Sequence, residues 1–250
     1  MQFKNYNVKD AVQNALRLMR DSGFAISGKV EVVVDADLPF MGYSTQRGGG
    51  NVIVVAGRAV ESGMIEGLLI HELCHIYRTE QNHPSHNKEL QNRVGYHLLH
   101  EYELSKDYQV KTVQQAVNHI QDLYADDISF QVFKRSQALT EEQSHAFFLD
   151  WINDTPMKGK SGRTRWLNIG TILNNCFAFS NLTRHKIRDI EGKVEKAVEQ
   201  FLSQTDEDLK KAHSYFRDFM TNLKEDVSEQ QFEKDLTEYL NKIVKLAQKT

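Results

Sequence analysis

His71-Glu72-Leu73-Cys74-His75 is the stretch on which the reading of this chain turns. It spells H-E-x-x-H, and Met64, Leu68, Ile70, Leu73, Ile76 and Tyr77 around it predict a buried helix over residues 59–79. Four helical residues turn the chain through roughly 400°, so His71 and His75 stand one above the other, about 6 Å apart along the axis. Two imidazoles so placed can share one divalent ion, and Glu72, about 100° further round, can reach that ion's open side. A bound metal lowers the pKa of its water toward ~7, and a nearby carboxylate can take the proton as the water attacks a carbonyl. The same five residues also fit a plain exposed helix that happens to carry two histidines, so the surroundings decide.

Upstream, Val8, Ala11, Val12, Ala15, Leu16 and Met19 recur at helical spacing until Gly23, which predicts an amphipathic helix over 8–21. Lys29–Asp35 (KVEVVVD) reads as a strand, 41–45 as a second extended piece, and Asn51–Ala56 (NVIVVA) as the most strand-like run of all. Between the last two, Gly48-Gly49-Gly50 lacks the G-K-[ST] of a phosphate loop and reads as a turn. A strand directly before the H-E-x-x-H helix suggests that its free edge accepts an extended peptide by main-chain pairing. After the helix, His83-Pro84-Ser85-His86 forms a rigid turn with Ser85 as the expected cap of a helix over 86–104. A long helix over 109–134 follows, and beyond about residue 136 the pattern is helical throughout. Capping signatures start at Thr140, Thr205 and Ser228, and helices are expected over 163–179, 186–202, 206–223 and 230–247.

Composition narrows the class. With 250 residues, 40% hydrophobic and 26% charged, the chain has the make-up of a globular protein with one large core or two smaller ones. A net charge of −3 exerts no general pull on nucleic acid or anionic lipid, and the basic loop Lys158, Lys160, Arg163 and Arg165 has no aromatic ladder beside it. No stretch approaches the ~18 uncharged apolar residues of a membrane span. The opening residues Met1–Tyr6 carry no secretory pattern, and Cys74 and Cys176 make no disulfide framework, so a cytoplasmic protein is expected.

A catalytic zinc usually takes three protein ligands, and the motif supplies two. The metzincin spacing requires a histidine six residues after His75, where Gln81 stands. His83 and His86 could curl back from the turn. On the later helix, Asp122-Leu123-Tyr124-Ala125-Asp126 puts Asp122 and Asp126 on one face, with His119 a turn earlier on the same face. Three ionisable side chains on one face of a mostly buried helix need a purpose, since unpaired buried charge is costly; the alternative is that this face is simply solvated.

The run GGGNVIVVAG, then GLLIHELCH, then the downstream D-x-x-A-D resembles the gluzincin-type zincin metallopeptidases. Within them it is similar to the group of CAAX-processing and heat-shock membrane proteases, and to their soluble minimal relatives. The resemblance spans roughly residues 41–130. That family carries a G-G-x-[IV]-x-V strand, the HExxH helix, and an E-x-x-A-D helix whose glutamate is the third ligand. The resemblance implies that Asp122 completes a Zn²⁺ site with His71 and His75, that Asp126 supports a ligand histidine from behind, and that Glu72 is the general base. The departure is the aspartate at 122, one methylene shorter than the family's glutamate. The transmembrane helices of the membrane relatives are also missing.

The expectation is therefore a mostly helical α+β protein. A zincin-like core with a small sheet covers 1–135, and a helical region covers 136–250, packed on or beside it. The expected activity is zinc-dependent hydrolysis of a peptide or unfolded-protein substrate. A second expectation, supported by the shortened side chain at 122, is a zincin-fold metal-binding regulatory or interaction protein without turnover.

Overall fold

In the computed structural model, residues 8–62, 64–137 and 139–249 are described. Three strands, β1 (Val30–Asp35), β2 (Gly42–Arg47) and β3 (Gly50–Ala56), form one mixed sheet in the order β1-β3-β2. β3 pairs in parallel with β1 from Val30↔Asn51 to Asp35↔Ala56, and antiparallel with β2 from Gly42↔Val55 to Arg47↔Gly50. This corrects the expectation of a free edge on 51–56, because β3 is hydrogen-bonded on both sides. The physical reason is in the residues. The run Val52-Ile53-Val54-Val55-Ala56 is apolar on both faces and buried throughout, as a central strand must be, whereas β1 and β2 alternate or are polar and take the edges. The β2–β3 turn is as short as a hairpin allows. Gly48 and Gly49 have φ of +57° and +78°, the left-handed pair that matches the natural twist of two strands.

The single helix expected over 59–79 is two, α2 (Gly57–Glu61) and α3 (Ile65–Glu80). Ser62 separates them. Its hydroxyl donates to the Ala59 carbonyl at 2.8 Å and accepts from the Met64 N–H at 3.2 Å, taking roles that belong to a continuing helix backbone. The helix α1 (Val8–Asp21) packs on α3, burying Ala11, Val12, Ala15 and Met19, and the Cys74 thiol points at the Met19 sulfur at 3.7 Å. On the sheet side, Leu68 of α3 joins a cluster of Leu38, Val52, Val54, Ala56 and Ala59. Gly42 permits that approach, since a Cβ there would lie 3.3 Å from Leu68 Cδ2 and 2.9 Å from the Val54 carbonyl. At its other end α3 is tied by Glu80, whose carboxylate accepts from the Ser27 and Gly28 N–H groups before β1 at 2.8 and 2.9 Å and from the Asn51 side-chain amide of β3 at 3.3 Å.

A 3₁₀ turn at Pro84–His86 then leads into α4 (Lys88–Glu101). The cap is Asn87, which accepts from the Leu90 N–H at 3.1 Å, and not Ser85, which is fully buried. The helix α5 (Asp107–Ser136) runs unbroken for 30 residues. Five more follow: α6 (Glu141–Leu149), α7 (Gly162–His185), α8 (Lys193–Ser203), α9 (Glu207–Thr221) and α10 (Glu229–Ala247). Thr140, Ser161, Asp206 and Ser228 cap their helices with side-chain oxygens, Thr140 in a full capping box with Gln143. The helix expected from residue 186 starts at Lys193 instead. Lys186, with φ of +56°, closes α7, and the Asp189 carboxylate accepts from the Val194 and Glu195 N–H groups at 3.1 and 3.0 Å.

The protein is thus mostly helical, with a small three-stranded mixed sheet. It divides into two compact units, one of residues 1–86 with 125–139, the other of 87–124 with 140–250. The sequence suggested one cut near residue 135. The division is discontinuous because α4 and the first part of α5 pack with the C-terminal helices. Arg93 grips Glu233 through two bonds of 2.9 Å, and the Tyr124 hydroxyl donates to the Lys224 carbonyl at 3.1 Å. Among the described residues no helix is long and apolar enough to cross a membrane.

Candidate metal centre

The helix α3 is buried on most of its surface, yet the side chains of His71 and His75 stay partly open to solvent. Their Nε2 atoms approach to 3.1 Å. Donor atoms on one tetrahedral zinc, each ~2.0–2.1 Å from it, lie about 3.3 Å apart, so the imidazole pair already has the spacing of two ligands of one ion. Asp126, on the stretch of α5 that belongs to the first unit, places Oδ1 2.9 Å from Nδ1 of His71. That carboxylate is nearly buried at 7% side-chain exposure. It fixes the far nitrogen of the ring, the arrangement by which carboxylates orient metal-binding histidines.

Asp122 stands one turn before Asp126 on the same unbroken helix. Two imidazole nitrogens and a carboxylate oxygen are a donor set that suits zinc, and also other divalent ions of the first transition row. The residues present therefore fit the ion that the motif implies.

Glu72 is 5% exposed, a carboxylate drawn into the protein next to His71 by its position on α3. Burial of a carboxylate is costly, and a neighbouring cation is one way to offset it.

The two histidines of the following turn are outside the donor group and behind it. His86 Nε2 lies 2.8 Å from Nδ1 of His75, His86 Nδ1 lies 2.8 Å from Ser85 Oγ, and that hydroxyl lies 2.7 Å from Nδ1 of His83. Burial, with His75, Arg78, His83 and His71 adding to it, holds His86 well below the ordinary histidine range. Ser85 is the member that sequence reasoning missed. Its signal was the compact His83-Pro84-Ser85-His86 spacing, read there as a helix cap.

His119 is elsewhere. It belongs to the second unit, where its ring stacks on Phe177 at 4.8 Å and meets Trp151 edge-on at 5.8 Å. Burial lowers its pKa to about 4, which makes it a neutral aromatic of the core. The shared helix face read from the sequence does not bring it into the donor group. Cys74, between His71 and His75, turns its thiol into the core, and burial pushes that thiol far above the ordinary cysteine range.

One comparison with known proteins gives a match. The profile described as a family of unknown function (DUF5781) matches residues 8–245. No match is found among curated proteins or among solved structures.

Proposed function

The chain belongs to DUF5781, a family of unknown function, and we propose that this protein is a zincin-like, zinc-dependent hydrolase that acts on peptide bonds. The observation that carries the proposal is the approach of the His71 and His75 Nε2 atoms to 3.1 Å, with Asp126 Oδ1 2.9 Å from the far nitrogen of His71. A zinc ion held there would lower the pKa of a water toward ~7 and polarise a carbonyl oxygen. His71 and His75 would hold the ion through Nε2, Asp122 through a carboxylate oxygen, and Asp126 would keep His71 oriented. Glu72, the residue next to the first ligand, would accept the proton of the attacking water and return it to the leaving amine, as microscopic reversibility permits. With β3 enclosed, an extended substrate would find free main-chain groups only along β1 or β2, the two edge strands.

The test pairs metal content with turnover. Purified protein should carry about one zinc per chain, His71→Ala and His75→Ala should lose it, and Glu72→Gln should keep it while losing cleavage of an unfolded-protein peptide library. Full hydrolysis by Glu72→Gln would remove that residue from the mechanism. Stoichiometric metal with no turnover in the wild type would favour a regulatory metal-binding protein over an enzyme.

A further inference from the structure

Within the second unit, the opening turns of α5 and α7 lie side by side, and the side chains that meet between them fix their relative direction. Arg163 lies over the Tyr108 ring at 6.0 Å, Gly170 faces Thr112 and Gln115, and the Gln115 amide donates to the side-chain oxygen of Asn174. Further along, Phe177 stacks on His119 at 4.8 Å. Residue numbers rise together on the two helices, so the pair runs parallel. From His119 and Phe177 the seam is closed by aromatic rings, with Trp151 edge-on to both. Before them it is open, and a cleft of about 760 Å³ separates the two helices.

The residues explain the opening. A packed helix seam needs side chains that interdigitate at every turn. Here the facing positions are Thr112 and Gln115 on α5 and Gly170, Thr171 and Asn174 on α7, too small or too polar to fill the space. A Cβ on Gly170 would stand 3.4 Å from Gln115 Oε1, inside the floor of the cleft. Both threonine hydroxyls give their hydrogens to their own helix, Thr112 to the Tyr108 carbonyl at 2.8 Å and Thr171 to the Leu167 carbonyl at 3.2 Å. Their oxygens keep lone pairs that can accept. Such a floor suits a body that carries hydroxyl groups and offers little to a hydrocarbon.

The rim has a sign. Lys106, Lys111 and Arg163 stand around the mouth against one lining carboxylate, Asp107. All three cations are exposed, and among the described residues none of them has a carboxylate within ion-pair distance. Arg165, two residues on from Arg163, is by contrast matched by Asp206 at 2.8 Å and Asp208 at 3.8 Å. In a chain of net charge −3, three unmatched cations around one cleft are a local surplus that a multivalent anion would neutralise.

We propose that the cleft between the opening turns of α5 and α7 binds a small organic phosphate. Its phosphate is held by Lys106, Lys111 and Arg163, the arginine supplying a planar fork and the lysines point charges. Its hydroxylated body, a sugar for instance, lies on Thr112, Gln115, Thr171 and Asn174. The volume is that of a site for one small molecule. The proposal concerns the second unit alone and is independent of the metal-centre reading.

The experiment titrates the full chain at low salt with ribose 5-phosphate, AMP, ribose and inorganic phosphate, by isothermal titration calorimetry. At least one of the two phosphorylated ribosides should bind at one site per chain, ~10-fold or more tighter than ribose or inorganic phosphate, each of which engages the floor or the rim but not both. Lys111→Ala and Arg163→Ala should each weaken that binding ~10-fold. Thr171→Leu, which fills the cleft without changing its charge, should abolish it, and Lys234→Ala, an exposed lysine of α10 outside the cleft, should leave it unchanged. The proposal is overturned by no saturable binding of either phosphorylated riboside, by unchanged affinity in both Lys111→Ala and Arg163→Ala, or by inorganic phosphate binding as tightly as they do. A single-stranded oligonucleotide that binds through Lys111 and Arg163 while AMP does not compete with it would also overturn it, since the rim would then belong to a nucleic-acid surface. If Thr171→Leu fails to fold by circular dichroism, the two substitutions of exposed residues and the ranking of the four probes decide.

Discussion

Asp126 Oδ1 and His71 Nδ1 are 2.9 Å apart although 55 residues of chain separate them. The bond joins α5 to α3 at the point where the H-E-x-x-H helix turns its first histidine outward. A carboxylate that is 7% exposed and bound to an imidazole does two jobs at once: it anchors one helix on another, and it decides which nitrogen of the ring is left for a ligand.

Asp126→Asn should therefore separate those jobs. The amide keeps a hydrogen-bond acceptor but not the charge, so metal affinity should fall ~10–100-fold while folding is retained. Chelator competition beside a thermal melt of the metal-free protein would show it. An unchanged affinity means that Asp126 only braces the helices.

Asp122→Ala should weaken metal binding more than Ser85→Ala or His86→Ala does, because Asp122 is the proposed third ligand whereas the other two lie behind His75. Ranking the three variants against one chelator gives the answer. The reverse order would move the third ligand to the turn at 83–86.

Acid sensitivity has a source in the second unit. His213 is 4% exposed, and burial, with Arg217 adding to it, lowers its pKa to about 4. The unfolded histidine titrates near 6.5, so as pH falls from 6.5 toward 4 the unfolded chain binds a proton that the native state refuses, and stability drops. Between pH 7.5 and pH 5 this one group should remove about 2 kcal/mol. Urea unfolding of the metal-free wild type and of His213→Leu at those two pH values tests it: the leucine variant should have the flatter pH dependence. Parallel curves would mean that the ring is reached by water.

The hairpin offers a test of the sheet. Gly49 has φ of +78°, which a β-branched residue adopts only with strain, so Gly49→Val should cost about 1–2 kcal/mol. Gly48→Asn, at φ of +57°, should be close to neutral because asparagine tolerates that conformation. Denaturant midpoints of the two variants should differ accordingly, and equal losses would mean that the turn has relaxed to another type.

Local features were legible in the sequence where the signal itself is local. The amphipathic period of α1, the caps at Thr140 and Ser228 and the apolar run of β3 each depend on a few neighbouring residues. Partner choice was not legible. That β3 lies between β1 and β2 depends on pairings of residues some twenty positions apart, such as Val30 with Asn51, which no pattern within one strand reveals. The break at Ser62 was hidden because the apolar spacing continues across it, and only the serine hydroxyl's two backbone bonds show why the helix stops. At the candidate site, the helical spacing predicts that His71 and His75 share a face, and their Nε2 atoms are 3.1 Å apart. His119 shared a helix face with Asp122 by the same arithmetic, yet aromatic neighbours from other helices claimed its ring.

Enclosure of β3 also bears on how this protein would fail. Val52-Ile53-Val54-Val55-Ala56 is uncharged, free of proline and rich in β-branched residues, the composition of a segment that stacks into cross-β aggregates when its backbone is bared. In the native state both its edges are taken, and the strands that shield it carry Glu31 and Asp35 on one side and Gln46 and Arg47 on the other, poor templates for a stranger's strand. Damage that peels β2 away, a lesion in the glycine turn for instance, would then do more than lower a melting temperature: it would uncover an adhesive strand, and insoluble protein would accumulate before any loss of metal could be measured.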